Sequence, residues 1–242
     1  MKKNLLFIPV YNSEKEISEL INKIKNINLS EIDTVLIIDN CSSDKTYLTV
    51  KSLSKDFKVK TKIIRNKKNL GLGGSFKKAI EFSINNNFNY IIHYHGNNMN
   101  DIKDLKKILS NKKFYNFDFY LGSRFMEKSK IKNYSYLRKF TNQLFNFVFS
   151  IISKMKILDL GSSLNVFKTK NFKDGIFKNF SNDLTFQYYL TLYISHYNKS
   201  FSYFPISVKI KHKSNVEPFK HLIKMFFIIF NYMIFKSVFF NK

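Results

Sequence analysis

The stretch YIIHYHGNNMND, residues 90–101, runs from an apolar strand into imidazole and amide side chains. A buried strand that ends in a polar loop is where open α/β sheets hold their ligands. His95 and Asn97 each offer a neutral ligand atom to a cation, and Asp101 is the nearest carboxylate. Imidazole suits Mn²⁺ better than Mg²⁺, and an amide carbonyl is a weaker ligand than a carboxylate. His93 faces the same side of the strand as His95 and is read as structural.

Other chemistry-bearing groups recur around predicted strand ends. IPVYN closes the first strand with Pro9, Tyr11 and Asn12, and Glu14 follows closely. IDNCSSDKT (38–46) follows the second with Asp39, Asn40 and Ser42. A carboxylate there can accept a hydrogen bond from a base N–H or a ribose hydroxyl, or it can cap the next turn; Asn40 accepts the same bond without charge. NLGLGG (69–74) contributes Asn69, Gly71 and Gly73. It departs from a dinucleotide fingerprint, because Phe76 stands where the third glycine belongs. The other reading is a tight turn with close helix–sheet packing. GSRF (122–125) carries Arg124, and Arg138 follows; guanidinium groups grip phosphate oxygens two at a time. DLGSSLNVF (159–167) carries Asp159, and SNDLTF carries Asp183, an N-cap for a helix from about 184 or a general base.

The elements that would position these groups alternate. Apolar runs predict strands at 4–11, 33–39, 58–65, 90–95 and 118–123. Helical spacing predicts helices at 13–27, 44–54 and 101–109, with one more opening on the glycines of NLGLGG. Such alternation implies an α/β fold with a mostly parallel sheet and helices on both faces. Residues 138–156 form a helix with Leu144, Phe147, Val148, Ile151, Ile152 and Met155 on one wide face, and Arg138, Lys139, Lys154 and Lys156 at its ends. Residues 221–240 are apolar nearly all round; their uncharged core, 225–235, is too short to span a bilayer.

Composition sets the outer bounds. In 242 residues, 27 Phe and 14 Tyr fill a core, and 7 Gly and 3 Pro argue against disorder. A net charge of +24 attracts polyanions: nucleic acid, anionic membrane or phosphate-bearing substrates. No compact basic block marks a nucleic-acid arm. The lone Cys41 excludes an internal disulfide and permits a reducing compartment. The opening MKKNLLFIPVYN is too short in its apolar run for a signal peptide and reads as a strand.

Taken in order from about residue 4 to 215, these segments resemble the family 2 glycosyltransferases, and within them the dolichyl- or polyprenyl-phosphate sugar synthase branch. IPVYN is similar to that family's opening nucleotide-site strand, IDNCSSDKT to its D-D-G-S-x-D-x-T segment, and NLGLGG to its N-x-G-x-G-G turn. GSRF and DLGSSLNVF are similar to its G-S-R and D-x-x-S-G-F stretches. The resemblance implies a GT-A fold over 1–215, with a nucleotide-sugar half (1–125) and an acceptor half (126–215), followed by a C-terminal apolar helix (216–242) that packs or lies on a membrane. It implies sugar transfer from a nucleotide-diphosphate sugar to a polyprenyl-phosphate or cell-surface glycan acceptor. Pro9, Tyr11, Asn12, Glu14, Asp39, Asn40, Ser42, Asn69, Gly71, Gly73, His95 and Asn97 then fall to the nucleotide sugar. Arg124, Arg138, Asp159 and Asp183 fall to catalysis, and Lys213 and Ser214 to a basic loop over the acceptor phosphate.

The family's D-x-D, which holds Mg²⁺ or Mn²⁺, registers on His95 and Asn97, with Met99 in place of a usual glutamine. Three outcomes are open: a weak metal site of His95, Asn97 and Asp101; metal-independent transfer on arginine and lysine; or a GT-A protein that binds a nucleotide sugar or a partner without transfer. The expected setting is cytoplasmic, peripheral at the inner face of the membrane. An anionic membrane surface and a second copy are the expected macromolecular partners, and nucleic acid is not.

Overall fold

The computed structural model describes residues 3–211, 218–235 and 239–240; Lys213 and Ser214 lie outside them. Among the described residues there are nine strands. These are β1 (Asn4–Val10), β2 (Thr34–Asp39), β3 (Lys60–Arg65), β4 (Tyr90–Tyr94), β5 (Phe119–Ser123), β6 (Ile131–Lys132), β7 (Leu164–Lys168), β8 (Phe201–Pro205) and β9 (Val208–Lys209). Seven of them form one sheet in the order β3-β2-β1-β4-β7-β5-β8, and β6 pairs with β9 beside it. β1, β2 and β4 are buried along their whole length, so both faces need apolar side chains and the sequence reads as continuous apolar runs.

Alternate residues of these strands feed two cores. Leu6, Ile8, Val35, Ile37 and Ile92 face the helices α1 (Glu14–Lys25), α2 (Thr46–Leu53) and α4 (Ile102–Asn111). Leu5, Phe7, Leu36, Ile38 and Ile91 face α3 (Gly71–Asn85), α5 (Tyr136–Ser153), α6 (Phe186–His196) and α7 (Pro218–Ile234). β7 comes from the second half of the chain and inserts between β4 and β5, so the two halves share one sheet.

β7 is antiparallel to both of its neighbours. This corrects the expectation that DLGSSLNVF follows a strand: residues 159–163 precede β7. Because β7 runs against the others, its start lies beside the ends of β4 and β5. Asp159 therefore still reaches the ligand-bearing edge.

Two apolar helix faces remain outside. α5 turns Phe149 inward but leaves Leu137, Phe140, Leu144, Phe147 and Ile151 exposed, which splits the single face expected from spacing. α7 ends at Ile234, short of residue 240; it buries Met225, Ile228 and Tyr232 and exposes Phe226, Phe227, Phe230 and Met233. No helix among the described residues is long and apolar enough to cross a membrane.

Candidate active site

Side-chain hydrogen bonds sew the ends of β1, β2 and β3 into one loop cluster. Asp39 is wholly buried; its carboxylate accepts from the Ser42 hydroxyl and backbone N–H and pairs with Arg65 Nε at 3.2 Å. The Arg65 guanidinium lies over the Tyr47 ring and donates to the Ser42 carbonyl at 3.0 Å. The Asn12 backbone N–H donates to Ser42 Oγ at 3.0 Å, and Asn12 Oδ1 accepts from the Ser43 N–H at 2.9 Å. Asp39 is thus the buried anchor of the turn. Tyr11, by contrast, is 48% exposed.

Asn40 uses both ends of its amide. Its Oδ1 accepts from Asn66 Nδ2 at 2.8 Å and from the Leu70 N–H at 2.9 Å. Its Nδ2 donates to Asn69 Oδ1 at 2.7 Å, and Asn69 Oδ1 also takes the Gly71 N–H at 2.8 Å. A carboxylate lacks the donor that reaches Asn69, so this network has a use for asparagine.

The glycines of NLGLGG serve packing, the second of the two readings. A Cβ on Gly71 would lie 2.3 Å from the Asn182 carbonyl oxygen, and one on Gly73 would lie 2.3 Å from that of Ser181. Gly74 N–H donates to the Asn182 carbonyl at 3.0 Å. The start of α3 therefore lies directly against the 181–183 loop. Pro9 is buried, and its carbonyl accepts the Gly96 N–H at 3.1 Å. Glu14 opens α1 and lines an open depression with Asn12, Glu19 and Asp44, away from the cleft that holds His95 and Arg124.

That cleft, about 240 Å³, opens where β4 ends and β7 begins. His95, Asn97, Met99, Arg124, Arg138, Ser162 and Ser163 line it. The His95 N–H donates to the Ser163 carbonyl at 3.0 Å, which fixes the two strand ends together. Alternation places His95, Asn97 and Met99 on the cleft side and buries Asn98 and Asn100. Asn98 instead donates to Glu19 at 2.6 Å, and Asn100 to the Ser163 carbonyl at 3.1 Å. Burial lowers the His95 pKa to about 4, so its ring is neutral at pH 7. His93 sits deeper, against Phe76, and burial holds it well below the ordinary histidine value.

Arg124 and Asp159 are both present, but each is spoken for by the other. Arg124 Nε and Nη2 reach the two Asp159 oxygens at 2.8 and 2.7 Å, and the Arg124 backbone N–H adds a third contact at 2.8 Å. Gly161 N–H donates to the same carboxylate at 2.9 Å. Burial works against the Arg124 charge, yet the Asp159 carboxylate more than offsets it and raises the arginine pKa. Arg138 stands apart: its guanidinium lies over the Tyr134 ring at 5.1 Å and faces the cleft without an ion pair among the described residues.

Asp183 is neither the N-cap of α6 nor an open base. Thr185 occupies the N-cap position. Asp183 Oδ1 accepts from the Thr185 N–H and Oγ1 and from Ser181 Oγ, at 2.8, 2.6 and 2.9 Å; Oδ2 accepts from Lys224 Nζ at 2.6 Å. Burial alone would raise its pKa, but Lys224, Thr185 and Ser181 together hold it well below the carboxylate range. A carboxylate so stabilised is a weak base.

The metal set read from the sequence does not assemble. Asp101 is exposed and caps α4, accepting the Lys103 N–H at 3.0 Å, and it does not line the cleft. Asn97 Oδ1 already accepts the Met99 N–H at 3.2 Å. Among the described residues no three His, Cys, Asp or Glu side chains come together as a metal group. One imidazole and one engaged amide do not fit a hard divalent cation, which wants several oxygen ligands.

Sequence reasoning missed residues beside the cleft and in its wall. Tyr134 OH accepts from Arg124 Nη1 at 3.3 Å and from Asn142 Nδ2 at 2.8 Å, so it stands between the two arginines. Gln187 and Tyr188 enter from α6, and His221 from α7; Tyr188 OH and His221 Nε2 lie 2.7 Å apart. His221 was discoverable as the one imidazole of the apolar helix α7. Tyr134 carries no comparable signal.

A mostly parallel sheet with one reversed strand, flanked by helices and bearing its cleft at the strand ends, has the GT-A architecture of nucleotide-sugar transferases. The chain belongs to the glycosyl transferase family 2, whose profile matches residues 6–180. Among curated relatives, an uncharacterized protein of Methanocaldococcus jannaschii is 27% identical over 160 residues, 66% of this chain and 62% of that protein. The UDP-N-acetylglucosamine–dolichyl-phosphate N-acetylglucosaminyltransferase of Methanococcus voltae is 25% identical over 69% of this chain and 70% of its own length. The chain thus spans less than two thirds of the M. jannaschii relative. Among solved structures, Staphylococcus aureus TarS 1–349 with UDP-GlcNAc aligns with TM-score 0.60 and 18% identity, over 96% of this chain and 67% of that one. Mycobacterium tuberculosis glucosyl-3-phosphoglycerate synthase with Mn²⁺, UDP and phosphoglyceric acid aligns with TM-score 0.64 and 10% identity, over 96% and 78%. These two show a shared fold.

Proposed function

We propose that the chain transfers a sugar from a nucleotide-diphosphate sugar to a polyprenyl-phosphate or glycan acceptor. The observation that carries this reading is Arg138, a guanidinium free of ion pairs among the described residues, facing a cleft whose other charged lining group, Arg124, is already paired with Asp159. The nucleotide lies against the loop cluster of Tyr11, Asn12, Ser42 and Asn69. The diphosphate points into the cleft, where Arg138 balances the charge that develops as the sugar–phosphate bond breaks. The M. voltae relative, which acts on dolichyl phosphate, supports a lipid-phosphate acceptor. Such an acceptor is already an anion and needs no general base, which suits a site where Asp159 and Asp183 are both engaged.

Mn²⁺ accompanies UDP in the M. tuberculosis neighbour, so a divalent ion is one arm of the test. The exposed apolar faces of α5 and α7, on a chain of net charge +24, support contact with the anionic inner face of the cytoplasmic membrane. Calorimetric titration of UDP- and GDP-sugars, with Mn²⁺ and with EDTA, followed by product analysis with a polyprenyl phosphate, tests the proposal. Binding of a sugar nucleotide with turnover supports it. The second reading, binding without transfer, is favoured by the absence of any carboxylate among the described cleft residues. It predicts affinity with no product under either condition.

A further inference from the structure

Two residues that line the cleft each carry a buried polar atom with no hydrogen-bond partner among the described residues. They are Gln187 Nε2, in the first turn of α6, and His95 Nδ1, at the end of β4. A buried donor or acceptor left unsatisfied costs free energy, so such atoms in a native fold need a cause. Burial alone does not imply a ligand. His93 also has both ring nitrogens unpartnered among the described residues, yet it is packed against Phe7 and Phe76 and does not line the cleft. Gln187 and His95 differ because both line the same open space.

The chemistry of the two groups restricts what they meet. The Gln187 amide has no charge, and His95 is neutral at pH 7 because burial holds its pKa near 4. Neither competes with Arg138 for phosphate. Leu72, Leu160, Leu184 and Val208 supply apolar walls to the same cleft. Neutral hydrogen-bonding groups set in apolar walls suit an uncharged polyol, where each hydroxyl finds one partner and the ring faces lie on carbon.

We infer that Gln187 and His95 read the sugar ring of the donor: Gln187 Nε2 donates to a ring hydroxyl or acetamido oxygen, and His95 Nδ1 bonds a second hydroxyl. This assigns a sugar-specificity role to a glutamine that no motif marks, and it makes His95 a hydrogen-bonding group for the sugar instead of a metal ligand. The inference rests on the proposed donor class.

The test measures affinity for UDP and for UDP-N-acetylglucosamine and UDP-glucose, with wild type, Gln187→Leu, Gln187→Met and His95→Phe, each in EDTA. The ratio of the UDP dissociation constant to the sugar-nucleotide constant isolates the sugar. Wild type should bind at least one sugar nucleotide more tightly than UDP, and each variant should reduce that ratio roughly three- to tenfold. Affinity for UDP itself should stay within about twofold, which also shows that the variants are folded. Variants that keep the wild-type ratio overturn the inference and leave the transferase reading intact. Variants that weaken UDP and sugar nucleotide equally also overturn it, since the groups would then be structural. A wild type that binds neither UDP nor its sugars overturns both.

Discussion

Arg124 holds Asp159 by three donors, two from the guanidinium and one from its own backbone N–H, across 35 residues of sequence. The arginine is 9% exposed and the aspartate side chain is fully buried. This pair joins the end of β5 to the segment before β7 and so fixes the edge on which the cleft is built. Breaking a buried pair by removing one partner leaves a charge without compensation. Asp159→Asn or Arg124→Met should each lower unfolding free energy by roughly 3–5 kcal/mol in urea titration. The double variant Arg124→Met, Asp159→Leu should lose less than the sum of the singles.

The glycine turn gives a test with a clear sign. In an ordinary helix, Gly→Ala stabilises by about 1 kcal/mol. Here Gly73→Ala meets the Ser181 carbonyl, and Gly71→Ala meets that of Asn182 at a φ of +71°. Both should destabilise, by roughly 2 kcal/mol or more. Thermal melts that rise on either substitution would show that α3 does not press on the 181–183 loop.

Those two motifs illustrate what the sequence makes legible. Apolar runs and helical spacing locate five strands and their helices within a few residues, because burial on two sheet faces leaves a direct trace in composition. The direction of β7 leaves none: a short apolar strand reads alike in parallel and antiparallel pairing. Side-chain partnership is equally silent. Asp39, Asn40, Arg124, Asp159 and Asp183 all stand at the predicted edge, but only the packed chain reveals that each is already engaged. Gln187 and His221 come to the cleft from helices whose spacing speaks only of packing.

Acid should weaken the fold through two histidines. Burial depresses the pKa of His93 and that of His95, the latter to about 4. A histidine lowered on folding favours the native state fully above its unfolded value near 6.5, and that contribution is lost as pH falls toward the folded value. His93→Phe should therefore flatten the fall in stability as pH drops below about 6.5. Chemical denaturation across that range checks it; an unchanged slope would contradict the buried neutral ring.

Asp104 works in the opposite sense. Burial raises its pKa to about 6, while Ser207 N–H donates to it at 2.6 Å. A carboxyl raised on folding destabilises the native state as pH climbs from about 4 to 6. Asp104→Asn keeps an acceptor for Ser207 and removes the charge. It should stabilise the protein at pH 8 by about 1–2 kcal/mol and change little at pH 4. Equal effects at both values would rule out a titrating Asp104.

The measurement closest to the central claim is transfer itself. The chain is incubated with UDP-[¹⁴C]GlcNAc and polyprenyl phosphate in detergent micelles, with Mn²⁺ and with EDTA, beside Arg138→Ala. The account predicts label in the organic phase and a loss of roughly a hundredfold in the variant. Sugar-nucleotide binding with all label left in the aqueous phase, for UDP- and GDP-sugars alike and in both conditions, would contradict it.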